Sequence, residues 1–319
     1  MEIKQLTAIV TVAEAGSVTR AAEILHLVQP AVTRRIHALE HELGVHLFER
    51  TRHGMRPTEA GTIMVERARR ALAELERARA EVRPVPGEAT GTVTVGLLES
   101  SVDVLAGPLV SAVPRHHPGI QLRLMTGCSG HLQRWLDDGD LDLSLLCTPD
   151  TAPPLNARPL LRERLWAIAP ASAGLRADRP VPFAEAARHP LVMPVRLSGP
   201  ALRDLIDAAA VRTGAELDVV VQTNSVRLQK QLVLAGRGWT VGPRVGVAEE
   251  VAQGTISAAP LSEPEVWRSI VLGTPRSGRT TPAVEVVARE LVRQVNSAVA
   301  QGRWPSAQVP GSGEAVENA

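Results

Sequence analysis

The sequence predicts an all-α winged helix-turn-helix domain at the N-terminus, a long linker helix, and then a two-lobed α/β domain. Three observations carry that prediction. Two short amphipathic segments flank a tight turn between Ser17 and Glu40, apolar and small residues recur at alternating spacings of four and three from Met64 to Val82, and strand-like runs alternate with helical patterns from Thr92 onward. A chain of 319 residues, 44% hydrophobic and 22% charged, is long enough for two or more domains with well-formed cores.

In the first segment Leu6, Ile9, Val10 and Ala13 recur at helical spacing and stop at Gly16. Ser17 then suits the N-cap of a second helix, whose Ala21-Ala22 pair permits close helix approach and whose Leu25 is an anchor. A third helix carries Pro30 in its first turn, where the missing N–H costs nothing, and an apolar stripe of Val32, Ile36, Leu39 and Leu43. At roughly 100° per residue, Pro30, Thr33, Arg34 and His37 fall on the opposite face. With Gln29 at the start of the helix, that face suits entry into a major groove, where a hydroxyl and a guanidinium reach base edges and phosphates. The alternative is an ordinary surface helix. Leu43-Gly44-Val45 ends the pattern, and the basic stretch that follows, with Arg50, Arg52, His53 and Arg56, reads as a wing lying along phosphates.

A long helix follows from Thr58, its cap, with Glu59 in the first turn, to Val82. Met64, Ala68, Ala71, Leu75, Ala78 and Val82 form a coiled-coil seam, predicted to pair with a second copy of the chain. Pro84-Val-Pro-Gly87 breaks this helix and opens a hinge. Strands are expected at 92–98, 120–125, 141–147, 165–169, 191–193, 219–221, 239–241 and 266–272, in mostly parallel sheets, with a final helix over 282–299. The expected division is 1–57, 58–90 and 91–304, with lobe I about 91–161 and 267–304, lobe II about 162–266, and a disordered tail at 305–319.

Composition excludes several function classes. There is no run of eighteen apolar residues and no basic-then-apolar leader at Met1–Thr7, so a cytoplasmic location with no membrane partner is expected. A net charge of +1 excludes a strongly basic nucleic-acid coating protein and makes any DNA contact local. Cys128 and Cys147 lack a paired spacing and are expected to be buried free thiols. Gly127-Cys-Ser-Gly-His131 is not Gly-x-Ser-x-Gly; five-residue spacing rotates His41 and His46 roughly 140° apart; and Asp137 to Asp142 lacks the order of a calcium loop. No catalytic residue, metal or cofactor is expected. The five tryptophans are scattered and suit core packing for the most part.

Ligands of α/β folds sit at the carboxyl ends of strands, where helix N-termini leave N–H groups free. Ser100, Ser129 and Thr148 are expected to line such a cleft from one lobe, and Arg196, Ser198, Thr223 and Asn224 from the other. Hydroxyls, free N–H groups and one guanidinium favour a small carboxylate or similar anion. Taken singly, each serine or threonine is as well explained as a helix cap.

Ala21-Ala22, Leu25, Gln29-Pro30-Ala31, Ile36, Leu39-Glu40, Leu43-Gly44, Leu47-Phe48-Glu49-Arg50 and Thr58-Glu59-Ala60-Gly61 together resemble the LysR-type transcriptional regulators. The departures are Ile9, Val28, Thr33 and Pro57, where the family often has an aromatic, serine, serine and leucine. Farther on, Gly91-Thr-Val-Thr-Val-Gly-Leu97, His117-Pro-Gly-Ile120, Thr126-Gly127, Ser129-Gly-His-Leu132, Asp140-Leu-Asp-Leu143 and Pro159-Leu160 are similar to the effector domains of that family. The Ser-Gly-His-Leu and Asn224-Ser225 stretches look most like its nitrogen-assimilation control branch. The resemblance implies a two-lobed effector domain like that of periplasmic binding proteins, a dimerising linker helix, and Phe48 anchoring the wing. It also implies a sequence-specific transcriptional regulator that senses a small molecule. Its partners would be double-stranded promoter DNA, a small-molecule effector, itself as a homodimer or homotetramer, and RNA polymerase. The competing reading is an intracellular small-molecule binding protein whose helical N-terminus serves only to dimerise.

Overall fold

The computed structural model describes residues 1–52, 54–82, 89–148, 157–196, 202–275 and 280–309. The chain divides into two compact units, Met1–Pro86 and Gly87–Ala319.

The first unit opens with α1 (Ile3–Ala15), α2 (Val18–Ile24) and α3 (Gln29–Leu43). Gly16 closes α1 in the left-handed region at φ 64°, its N–H donating to the Val12 carbonyl, and the Ser17 hydroxyl accepts from the Arg20 N–H to start α2. Ala21 and Ala22 are buried at the crossing of the three helices, and Val32, Ile36 and Leu39 turn inward from α3. Truncating a buried leucine such as Leu39 costs about 2–5 kcal/mol. Leu43, expected to complete this stripe, is 42% exposed.

The unit is not all-α. Phe48–Thr51 (β1) and Gly54–Pro57 (β2) form an antiparallel two-stranded hairpin. Its second strand is fastened to α1, since the Met55 N–H donates to the Gly16 carbonyl at 2.8 Å. A Cβ on Gly54, whose φ is +122°, would stand 2.3 Å from that same carbonyl, so only glycine permits the approach. Phe48 is buried with Leu47 in the helical core.

Helix α4 (Glu59–Val82) is capped by Thr58, whose Oγ1 accepts from the Gly61 N–H at 3.0 Å and donates to the His46 carbonyl at 2.8 Å. Its opening turns complete the unit's own core through Val65 and Ala68, with Met64 and Leu72 packed alongside. Two members of the expected seam, Met64 and Ala68, are therefore taken by intramolecular packing. Ala71, Leu75 and Ala78 lie farther along and are exposed, whereas the Val82 side chain lies outside the described residues.

The second unit is built on a mixed sheet in the order β4-β3-β5-β12-β6-β11-β7. Its elements are β3 (Gly91–Leu98), α5 (Val102–His116), β4 (Ile120–Gly127), α6 (Ser129–Asp137), β5 (Leu143–Thr148), β6 (Ala157–Pro170), β7 (Val181–Pro182), α7 (Phe183–Ala186), β8 (Leu191–Pro194), α8 (Leu202–Thr213), β9 (Val219–Thr223), α9 (Val226–Leu234), β10 (Thr240–Pro243), α10 (Ala248–Ala252), β11 (Ile256–Ser262), β12 (Trp267–Gly273), α11 (Pro282–Ala300) and β13 (Ala307–Gln308). Parallel pairing holds within each half, β3 with β4 and β5, and β8 with β9. The expectation of mostly parallel sheets fails at the centre. There β12 runs antiparallel to β5 and β6, and β6 antiparallel to β10, β11 and β13.

Strand β6 passes from one core to another. Leu160 and Leu161 pack with Val95, Leu105 and Leu291, and Leu165 packs with Phe183, Met193 and Ile206. These are the two lobes, joined by β6 and β12. Nor is the chain beyond Trp304 wholly a loose tail, since Ala307 and Gln308 pair with β6 at Glu163 and Arg162; the tail from 310 lies outside the described residues.

Candidate DNA-binding face and effector cavity

Burial of Val32, Ile36 and Leu39 turns the other side of α3 outward. Gln29, Pro30, Arg34 and His37 are exposed, and Thr33 is half-buried, its hydroxyl donating to the Gln29 carbonyl at 3.2 Å. Arg50 on β1, Arg52 at the hairpin turn and Arg56 on β2 are exposed as well. Arg34, Arg50 and Arg56 have no ion-pair partner among the described residues, so their charge is available to phosphates.

Sequence reasoning missed the residue that joins helix to hairpin. Glu40 is 7% exposed, and its Oε1 accepts from the Leu47 N–H at 2.7 Å and the Phe48 N–H at 3.3 Å, while Oε2 lies 3.1 Å from His37 Nδ1. One buried carboxylate thus fixes the entry to β1 relative to α3 and steadies His37 on the exposed face. An acidic residue on the apolar side of an amphipathic helix is the signal that could have revealed it.

In the second unit a cavity of ≈ 70 Å³, partly open to solvent, lies between the two lobes. Ser100, Ser129, Thr223 and Asn224 line it, as expected of strand ends. Thr148 is buried beside it and is not part of the wall; the preceding Cys147 is. Arg196 does not line it either, because its guanidinium turns to the Asp207 carboxylate, and Ser198 lies outside the described residues. Several hydroxyls are already engaged. Ser129 Oγ donates to the Cys147 carbonyl at 3.0 Å and accepts from the Cys147 N–H at 2.9 Å, and Thr223 Oγ1 accepts from the Ser225 N–H at 3.1 Å.

The groups that dominate the cavity electrically were not foreseen. Arg268 on β12 is 3% exposed and Glu163 on β6 is wholly buried; the guanidinium donates from Nε to Glu163 Oε1 at 2.7 Å and from Nη2 to Ser100 Oγ at 3.0 Å. Glu163 Oε2 takes the Trp304 indole N–H at 3.0 Å, which satisfies the other end of the carboxylate. Glu99, in the turn after β3, reaches across to α9: Oε1 accepts from Ser225 Oγ at 3.0 Å and Oε2 from the Val226 N–H at 2.9 Å. A lone charge inside a strand-like apolar run, Val266-Trp-Arg-Ser-Ile270, was the available clue to Arg268, whereas Glu163, between Arg162 and Arg164, carried no such signal.

Cys147 is buried in this wall, and burial pushes its thiol up, with the Arg268 guanidinium opposing more weakly. Cys128, expected to be buried, is half-buried, with Sγ 3.3 Å from His131 Nδ1. Trp166 and Trp304 are core residues, whereas Trp135, Trp239 and Trp267 are half-buried. No group of three or more metal-binding side chains occurs among the described residues, and none of their helices is long and apolar enough to cross a membrane.

Comparison with known proteins places both units. Residues 3–62 match the bacterial regulatory helix-turn-helix protein family of LysR type, and residues 86–296 match the LysR substrate binding domain. The chain is 31% identical to the transcriptional regulator BbuR of Bordetella bronchiseptica, over 92% of this chain and 90% of that one. It is 27% identical to the nitrogen assimilation regulatory protein Nac of Klebsiella aerogenes, over 93% and 96%. Among solved structures, full-length CbnR in complex with its target DNA superposes with a TM-score of 0.64 over 93% of this chain and all of that one; at 22% identity this is a likeness of fold. The helix-turn-helix with its hairpin and the two-lobed unit with a cavity between its lobes are accordingly the two halves of one known design, and the chain belongs to the LysR family of transcriptional regulators.

Proposed function

We propose that α3 reads promoter DNA, that the β1–β2 hairpin holds the flanking phosphates, and that the cavity between the lobes takes the small-molecule effector. The observation that carries the first part is the exposed set Arg34, Arg50 and Arg56, without ion-pair partners among the described residues, on elements packed around one core. Gln29, Thr33 and Arg34 supply direct readout from the first turns of α3, with Pro30 and His37 beside them. Arg50, Arg52 and Arg56 position the protein on the backbone.

The exposed part of α4, with Ala71, Leu75 and Ala78, is where a second copy docks, so that two α3 helices meet two half-sites. A homodimer is the minimal assembly, and a homotetramer arises if further surfaces pair. The regulator then acts on RNA polymerase at the promoter, in the cytoplasm. Ser100, Ser129, Thr223 and Asn224 surround the effector, and Arg268, itself in the wall, holds the Ser100 hydroxyl.

Selection from a random duplex library with the full chain tests the reading. A two-part motif with half-sites about one helical turn or a multiple apart is expected. Recovery of no motif, or of a motif unchanged by Arg34→Ala, overturns it.

A further inference from the structure

We infer that the effector is an uncharged, hydrogen-bonding molecule, because the chain's own Glu99 carboxylate sits where an anion would go. The inference rests on the effector reading above and specifies its ligand. Two features of the cavity wall could attract an anion, the Arg268 guanidinium and the N-terminus of α9. Both are spoken for. Arg268 pairs with Glu163 through Nε and Nη2 and donates to Ser100 as well. At α9, Glu99 accepts from the Ser225 hydroxyl and from the N–H groups of Val226 and Arg227, at 3.0, 2.9 and 3.2 Å, which satisfies the free donors of the first turn and balances the positive end of the helix.

The first cavity is lined by one carboxylate, Glu99, and one guanidinium, Arg268, which is paired with Glu163; the smaller space beside it is lined by Arg268 and by Lys230, whose ammonium is paired with Glu250 at 2.6 Å. A carboxylate entering either space would lose its hydration with no unpaired cation among the described lining residues to replace it. Arg196, the cation that would have welcomed an anion, shares Asp207 with Arg203 instead.

The wall also offers neutral hydrogen-bonding groups. A second, smaller cavity of ≈ 40 Å³ shares Ser100, Leu202, Val226, Gln229 and Arg268 with the first and is lined in addition by Thr240. Thr240 Oγ1 is buried without a hydrogen-bond partner among the described residues. Buried hydroxyls are rarely left so, and an orphan in a cavity wall marks a place where a ligand atom supplies the bond. The Gln229 carboxamide lies between the two spaces, flanked by Leu202, Val226 and Ile168. An amide, alcohol or ketone with a short apolar body fits this pattern, its polar end at Thr240 and Gln229.

Calorimetry and thermal shift on the full chain, with butyramide against sodium butyrate and benzamide against sodium benzoate, test the inference. The wild type is expected to bind an amide at least about tenfold more tightly than its carboxylate, and Thr240→Val to lose about tenfold of that affinity. Sodium acetate is expected to raise the thermal midpoint of Glu99→Ala by refilling the vacated seat, without moving the wild type at equal ionic strength. Glu99→Gln, which keeps the shape of the side chain and removes its charge, is expected to bring butyrate affinity up towards that of butyramide. A wild type that binds either carboxylate as tightly as its amide, that binds neither amide, or whose amide affinity survives Thr240→Val overturns the inference. Because binding in the cleft is read without DNA, failure of the regulator reading would show separately, as absence of salt-dependent DNA binding.

Discussion

The two units use charge in opposite ways. In the first, Arg34, Arg50 and Arg56 stand exposed without ion-pair partners among the described residues, and the buried carboxylate of Glu40 serves the backbone of the hairpin. In the second, Arg268, Glu163 and Glu99 are sequestered and satisfy one another or a helix end. A surface meant for a polyanion keeps its cations free, and counterion release supplies the affinity. A cavity meant for a small molecule neutralises its charges internally, so that shape and a few hydrogen bonds decide what enters.

The contrast is sharpest at Arg268. Arg268→Ala leaves Glu163 buried with one partner fewer and should cost about 3–5 kcal/mol, measured by urea denaturation, with Glu163→Ala costing a similar amount. The pair replaced together by Met and Gln should recover most of the loss, and a double replacement as costly as the sum of the singles would show that the two do not act as a pair. On the exposed side Arg34→Ala should leave folding within about 0.5 kcal/mol of wild type. It should weaken binding to the selected duplex by about 1–3 kcal/mol and relax the base preference at one position in each half-site. Unchanged preference in a binding titration would move readout away from Arg34.

Buried and exposed groups also part in their response to pH. The Cys147 thiol is raised by burial, so in the folded state it keeps its proton above the ordinary value of 9.0. As pH rises past about 9 the unfolded chain ionises this thiol and binds fewer protons than the native state. Stability present below that pH is then lost at up to about 1.4 kcal/mol per pH unit. Cys147→Ala should remove that increment from the alkaline limb of a denaturation series, and identical limbs would place the thiol's ionisation elsewhere. The smallest effect belongs to the hairpin: Arg56→Ala should weaken binding to all duplexes alike and flatten the dependence of log K on log salt by about one.

The same contrast explains what could be read from the chain. Spacing alone puts Val32, Ile36 and Leu39 inside and Gln29, Arg34 and His37 outside, because a helix places its functional face opposite its core within a single short segment. Leu43 and the Met64–Ala68 half of the seam failed for the complementary reason, since which neighbour covers a stripe is a tertiary fact. The cavity was legible where a strand end meets a helix start, at Ser100, Ser129, Thr223 and Asn224. Arg196 turned away because Asp207, one helix along, competes for it. Glu99 to Ser225 and Glu163 to Arg268 join residues more than a hundred positions apart, and no local pattern announces such a pair. Strand β11 went unseen because Ala258, Ala259 and Pro260 carry little strand preference, yet it is held antiparallel to β6.

Binding of promoter DNA through α3 and the hairpin by a paired assembly, as proposed above, is decided by the affinity of the full chain for the selected duplex and for a scrambled duplex of the same length, measured across salt concentrations for wild type and for Leu75→Glu. Wild type is expected to prefer the selected duplex by at least about 10³-fold at physiological salt and to weaken steeply as salt rises. Leu75→Glu, a charge on the exposed stretch of α4, should lose that preference while remaining folded and sedimenting as a smaller species. Equal affinity for both duplexes, or full preference retained by an undissociated Leu75→Glu, would contradict it.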